Sequence, residues 1–375
     1  FRFADSARFF LDLLLAVRPV NVLPALADDP YQEIMPSLEA IAARMRCFWD
    51  VLHRRPGLLV TNLFGLLKPF PRPDDLKASF LSVEKGEPLS RDGLLELLAR
   101  YGYERVDIIN SHGEFAFRGG IVDVFSPWDS FPSRLEFSGD EIASLREFDP
   151  STQRSLRKID SVRIPSLLEF PSDPDFTREW AAEARSAAPP GTGSDLEERI
   201  ARLQGGEVFP AFVHQSLICR GRFVPYSDYL KNHLLILDGY DEVEKDWQDS
   251  REALESRHAE QTSRKTFSLS PDMIYPSTSW ESVRKGAARL NQLEGSSPKR
   301  KIRFFFQSAP RFDNKISFFL EFLKKKQEER ERCFLFFSGE AVRRKFAGLL
   351  SHHQLPHLIT DDALSPLRDE SVALL

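Results

Sequence analysis

Between Arg105 and Phe148 the spacing of apolar residues switches from a period of about 3.6 to a period of about 2, and this constrains the fold most. Five consecutive strands are predicted, over Arg105–Ile109, Glu114–Phe117, Ile121–Phe125, Arg134–Phe137 and Glu141–Phe148. Their connections contain His112-Gly113, Gly119-Gly120, Pro127 to Pro132 and Gly139-Asp140. Glycine accepts positive φ and aspartate bonds to nearby backbone, so these residues suit tight turns. Val122 and Val124 share one strand face with Asp123 opposite; Leu135 and Phe137 share another, with Arg134 and Glu136 opposite. A small antiparallel sheet follows, buried on one side and polar on the other.

On either side the pattern is helical. Apolar residues at helical spacing predict helices over Ala4–Val17 and Pro36–Leu52, the second with Ser37 as N-cap and Leu38, Ile41, Ala42, Met45, Phe48, Trp49 and Leu52 on its apolar face. Ser90–Tyr101 reads as a helix that packs through Leu94, Leu95, Leu97 and Leu98 and ends at Gly102. Strands are predicted at Val20–Leu23, Leu58–Thr61, Phe80–Val83 and Leu234–Leu237, and helices at Phe176–Ala187, Glu197–Leu203 and Glu242–Gln261. From about Lys299 the order is strand Arg303–Phe306, helix Lys315–Arg330, strand Cys333–Phe337, helix Glu340–Leu350 and strand Leu358–Thr360. That alternation predicts a further doubly wound α/β domain, incomplete where the chain stops.

A chain of 375 residues exceeds what one core holds, which implies two to four domains. The net charge of -5 and a pI near 6.0 argue against a broadly basic nucleic-acid binder. Cys47, Cys219 and Cys333 are far apart and odd in number, indicating neither a disulfide framework nor a zinc site. No signal peptide or 18-residue apolar run is present, and the first residue is Phe1 rather than Met, as expected of a fragment.

Enzyme signatures are missing. There is no phosphate loop, no H-E-x-x-H and no G-x-S-x-G. Pro190-Gly191-Thr192-Gly193 reads as a flexible loop, Arg118-Gly119-Gly120 as a hairpin turn, and His352, His353 and His357 as a surface loop. What remains is arginine on rigid strands. Arg105, Arg118 and Arg134 can pair with a partner's carboxylates around nearby aromatic residues, or pair internally with Asp107, Asp123 and Glu136. Local reasoning leaves these alternatives level. Direct DNA binding by the sheet is less attractive, since Tyr101–Arg163 holds eight Lys or Arg against eleven Asp or Glu.

Three segments carry a family resemblance: Tyr103-Glu104-Arg105-Val106-Asp107, the run Gly113-Glu114-Phe115-Ala116-Phe117-Arg118-Gly119-Gly120-Ile121-Val122-Asp123-Val124-Phe125, and Gly139-Asp140-Glu141-Ile142. They resemble the bacterial transcription-repair coupling factors (Mfd) and the UvrA-binding domain of UvrB. Phe148 to Ser155, Asp29-Pro30-Tyr31, Pro36 to Leu52 and Lys85 to Arg91 extend the likeness to Mfd.

The resemblance implies an α/β multidomain fold: a degenerate helicase-like α/β domain (1–78 and 171–298), an inserted small antiparallel β-rich UvrA-binding domain (79–170), and a partial Rossmann-like α/β domain (299–375). It implies a recruitment module that docks UvrA through Arg105 and Arg118, with Phe125 and Arg134 in the same motif region, and that restrains the full-length motor. Where UvrB has a further docking arginine, this chain has Ala116. The fragment is expected to be no enzyme, with no cofactor or metal. ATP and magnesium are expected only in the ATP-dependent translocase region of the full-length protein. Implied partners are UvrA, the C-terminal domains intramolecularly, and RNA polymerase and DNA through the full-length protein. No membrane contact is implied, and the expected location is the bacterial cytoplasm. The alternative reading is a weak nucleic-acid-binding or remodelling fragment.

Overall fold

A computed structural model describes residues 20–26, 29–55, 57–170, 174–231, 233–290, 312, 315–329, 331, 333–335, 337, 340–359 and 372–374. The helix predicted over Ala4–Val17 and the strand predicted over Arg303–Phe306 lie outside these residues. The chain divides into two compact units, Asn21–Arg55 with Thr61–Leu293, and Phe1–Val20 with Pro56–Val60 and Glu294–Leu375.

In the larger unit, helix α1 spans Leu38–Leu52. Ser37 starts it, its hydroxyl accepting from the Ala40 N–H at 3.2 Å. Met45 and Phe48 are fully buried along its apolar stripe, each contributing about 2 kcal/mol by leaving water. Arg44 lies on the same stripe and is equally buried.

Strand β1 (Phe80–Glu84) and helix α2 (Arg91–Arg100) open the inserted region. Helix α2 ends where Gly102 takes φ +85, with Tyr103 N–H donating to Leu98 O and Gly102 N–H to Ala99 O. That pair of bonds is a Schellman cap, and glycine supplies the left-handed residue it requires. Seven strands follow: β2 (Glu104–Arg105), β3 (Glu114–Arg118), β4 (Ile121–Val124), β5 (Ser133–Ser138), β6 (Glu141–Phe148), β7 (Ser155–Lys158) and β8 (Ser161–Pro165). Six of them form one sheet in the order β7-β6-β5-β4-β3-β2, while β8 pairs with β1 as a separate antiparallel ribbon.

One expectation changes here. The sheet is antiparallel except at its edge, where β2 runs parallel to β3, with Glu104 opposite Glu114 and Arg105 opposite Phe115. The strand expected over Arg105–Ile109 stops at Arg105, because the chain must turn back to start β3 in the same direction. Ile109 leaves the ladder and is buried with Ala116 and Phe125. The main core takes Leu94 and Leu98 from α2 against Val122, Val124, Leu135 and Leu145 of the sheet. The alternation in β4 and β5 therefore points as predicted, apolar inward and charged outward.

The rest of this unit is largely helical. Helices α3 (Pro174–Ala187), α4 (Gly193–Gln204) and α5 (Tyr240–Ser263) pack with short ribbons, Phe70–Pro71 with Phe223–Val224 and Ile236–Asp238 with Ala288–Leu290. Trp180 of α3 is fully buried among Phe209, Phe212 and Phe267. Helix α4 begins at Gly193, four residues earlier than its periodicity suggests.

The second unit holds α6 (Ile316–Glu328), β9 (Cys333–Leu335), α7 (Glu340–His352), β10 (His357–Ile359) and β11 (Val372–Leu374). Its strands form a parallel sheet in the order β9-β11-β10, over a core that includes Leu323, Leu350, Val372 and Leu374. This is a mixed α/β unit, with β11 an addition to the predicted elements.

Candidate protein-docking surface

The register places the three arginines differently. One line of opposed residues crosses the sheet through Ala116, Asp123, Arg134, Arg146 and Lys158, all on the polar face. The next line on that face runs through Arg118, Ile121, Glu136 and Ser144. Arg105 lies opposite Phe115 and so belongs to the other face, at the sheet edge. Its guanidinium stacks over the Phe117 ring at 4.4 Å from the centroid. Arg105, beside the start of β3, and Arg118, at its end, thus lie on opposite faces of the sheet, and a partner that reaches both must wrap around β3.

Internal pairing separates them further. Arg134 forms a two-pronged bond to Asp123, at 2.7 and 2.8 Å, and reaches Gln153 at 3.1 Å. Hydrogen bonding to Asp123 holds the Arg134 pKa above its usual range. Arg146 takes Glu136, and Arg157 takes Glu147. Arg105 and Arg118 are both exposed, and among the described residues neither has a carboxylate within 4.0 Å. Two arginines therefore keep their donors for something else.

Phe125 and Ala116 lie together in a small buried cluster. Phe125 is only 5% exposed, with the His112 ring tilted against it at 4.0 Å between centroids, so little of its ring is open to a partner. Ala116 packs with it and with Ile109. A longer side chain there would have to displace that cluster, which is a physical reason why a third arginine does not fit.

Two features escaped the sequence reading. The first is a buried ionic cluster between α1 and the chain that follows β8. Arg44 Nε and Nη2 donate to Glu169 at 2.8 and 2.6 Å, and Arg44 Nη1 donates to Pro24 O at 2.7 Å. Lys68 Nζ lies 3.9 Å from the same carboxylate. Burial pushes the Glu169 carboxyl up, but Arg44 and Lys68 outweigh it and leave it below the usual range. Burial lowers Lys68 to about 8, and burial with the two cations lowers His214 to about 3, so that imidazole is neutral. The signal was in the sequence: Arg44 interrupts the apolar stripe between Ile41 and Phe48.

The second is an aromatic seam between α1 and the inserted region. Trp128 Nε1 donates to Ala42 O at 3.0 Å, its ring stacks on Phe80, and Arg46 lies 4.3 Å above it. Neighbouring Asp129 is raised to about 6, by burial first and then by Glu147, against the opposing pull of Arg46, Arg163 and His112. Among the described residues no group of His, Cys, Asp and Glu is placed to hold a metal, and no helix is long and apolar enough to cross a membrane.

A six-stranded sheet that presents unpaired arginines, anchored to α1 by a buried ion cluster, has the features of a protein-docking surface. Residues 81–170 match the family described as the UvrB interaction domain. Similar proteins include the transcription-repair-coupling factor of Haemophilus influenzae, 27% identical over 246 residues that cover 65% of this chain and 21% of that protein. The factor of Escherichia coli K12 is 34% identical over 144 residues, covering 38% and 12%. That of Myxococcus xanthus is 34% identical over 193 residues, covering 49% and 15%. The chain is thus similar to transcription-repair-coupling factors over as much as 65% of its length, and residues 81–170 carry the UvrB interaction domain. It spans about a fifth or less of the length of these relatives.

Proposed function

We propose that this chain is a recruitment module that docks the excision-repair protein UvrA at the β3 edge of its inserted domain, with Arg105 and Arg118 as the contacting cations. The observation that carries this reading is their unpaired state beside three arginines that are all paired. An arginine with unused donors can form a two-pronged, charge-assisted bond to a partner's carboxylate, its planar fork losing less freedom per hydrogen bond than a lysine would. The match of residues 81–170 to the UvrB interaction domain supports the same partner. Arg134 and Phe125 take supporting roles, one bracing the polar face and the other packing under it.

The finer architecture belongs to the same proposal. The host of the inserted domain is a degenerate helicase-like domain, and the parallel sheet of the second unit begins a Rossmann-like domain. The chain works without a cofactor in the bacterial cytoplasm. RNA polymerase, DNA, ATP and magnesium are engaged by other regions of a full-length translocase, which this module restrains until UvrA arrives.

Titration of purified UvrA into the chain, compared with an Arg105→Glu/Arg118→Glu variant, tests the contact. Truncating one interface hot-spot arginine costs about 2 kcal/mol, so reversing both is expected to weaken binding by at least about 100-fold. Circular dichroism should be unchanged, because neither side chain holds the fold together. Equal affinity of a folded double variant would rule out this surface.

A further inference from the structure

Arg118 is followed by the two-glycine turn that joins β3 to β4. Gly119 has φ +60, the positive value that a type II′ hairpin needs at its first turn position, and a Cβ there would meet nothing within 4 Å. Gly120 comes next, and both glycines are exposed. A glycine pair loses more conformational freedom than any other pair when it is fixed. An arginine beside so loose a turn would spread its guanidinium over many positions, unless something else held the backbone.

Two contacts hold it. Phe137 N–H donates to Gly120 O at 2.7 Å, which ties the second glycine to β5. Arg91 Nη1 donates to Gly119 O at 2.8 Å, which ties the first glycine to the start of α2. The Arg91 guanidinium is itself oriented, since its Nε and Nη2 donate to Asp92 Oδ1 at 3.0 and 2.7 Å. Arg91 is the first residue of α2, where the helix dipole disfavours a cation and Asp92 compensates. The planar fork serves both acceptors at once, which a lysine ammonium on a flexible stem cannot reproduce.

We infer that Arg91 is a positioning residue of the docking surface, clamping the Gly119-Gly120 turn so that Arg118 meets UvrA in a preset orientation. This rests on the docking function proposed above and adds a third arginine to it, one that acts through Arg118. The clamp works by pre-organisation: ordering the turn before binding removes that cost from association.

The test uses the intact chain with Arg91→Ala, Arg91→Lys, Arg118→Ala and Arg91→Ala/Arg118→Ala, each titrated with purified UvrA and followed by amide hydrogen exchange. Arg91→Ala is expected to weaken binding about fivefold, and Arg91→Lys nearly as much. The double variant should bind within about twofold of Arg118→Ala alone, because a clamp has no effect without the group it positions. Amides of residues 119–121 should exchange faster in Arg91→Ala, while those of Leu135 and Leu145 stay protected. Losses that multiply in the double variant would instead make Arg91 an independent contact and overturn the inference. So would unchanged exchange at the turn. If Arg118→Ala binds UvrA as wild type does, the docking reading itself fails, and the exchange data alone then report on the tether.

Discussion

Arg44 of α1 and Arg118 at the end of β3 carry the same guanidinium under opposite conditions. Arg44 is 1% exposed, and its donors are taken by Glu169, Pro24 O and Gly65 O. Arg118 is exposed, and among the described residues it meets no carboxylate. A buried cation must be satisfied internally, because the desolvation cost is large and only good geometry repays it. An exposed cation loses little by waiting in water for a partner. One arginine therefore ties α1 to the chain that follows β8, and the other keeps its donors in water.

The sharpest way to break this contrast is at Glu169. Replacing it with alanine leaves Arg44 and Lys68 buried without their anion, and about 3–5 kcal/mol of stability should go. Urea unfolding at pH 7 should show a large fall in midpoint. The sign with pH follows from the depressed carboxyl of Glu169. Its stabilisation is present above the unfolded carboxylate pKa of about 4.3 and is lost as pH falls through the lower folded value, so wild type and variant should converge in strong acid. A loss under about 1 kcal/mol at pH 7 would make the cluster incidental.

Arg134 stands between the two extremes, half-buried and paired to Asp123. Arg134→Ala should cost about 1–2 kcal/mol in thermal unfolding while changing UvrA affinity less than about twofold. A large loss of affinity with stability intact would move Arg134 to the contacting side of the comparison.

The smallest effect is expected at Asp129. Its folded pKa of about 6 lies above the unfolded value, so the native state holds its proton more tightly and stability falls as pH rises from about 4 to about 6. Asp129→Asn should therefore stabilise the chain at pH 7.5 by about 1 kcal/mol after allowance for screening, and the gain should vanish near pH 4. A variant no more stable than wild type at pH 7.5 would show that Arg46 and Arg163 already offset the burial.

The β-rich insertion could be read from the chain because its signals are local. Alternating Val122, Asp123 and Val124 set inside and outside, and Gly119 and Gly139 supplied the positive φ that tight hairpins need. The cap at Gly102 and the Ser37 N-cap were equally local. The motif around Arg105 and Arg118 is likewise contained in short runs of sequence. Non-local relations were hidden. Arg44 and Glu169 are 125 residues apart, and nothing in either neighbourhood announces the other. Ala116 in β3 and Phe125 just after β4 look like ordinary strand positions until residues 106–113 fold back and Ile109 packs with them.

The sequence by itself thus determined the strands, the turns and the arginines that could recognise a partner. Only the tertiary structure decided which of those arginines stay unpaired, because pairing depends on strand register. Asp123 lies opposite Arg134, whereas Arg118 faces Ile121 and Arg105 faces Phe115. A one-residue slip would have exchanged those partners, since the side-chain period of a strand is 2 and register alone sets who meets whom.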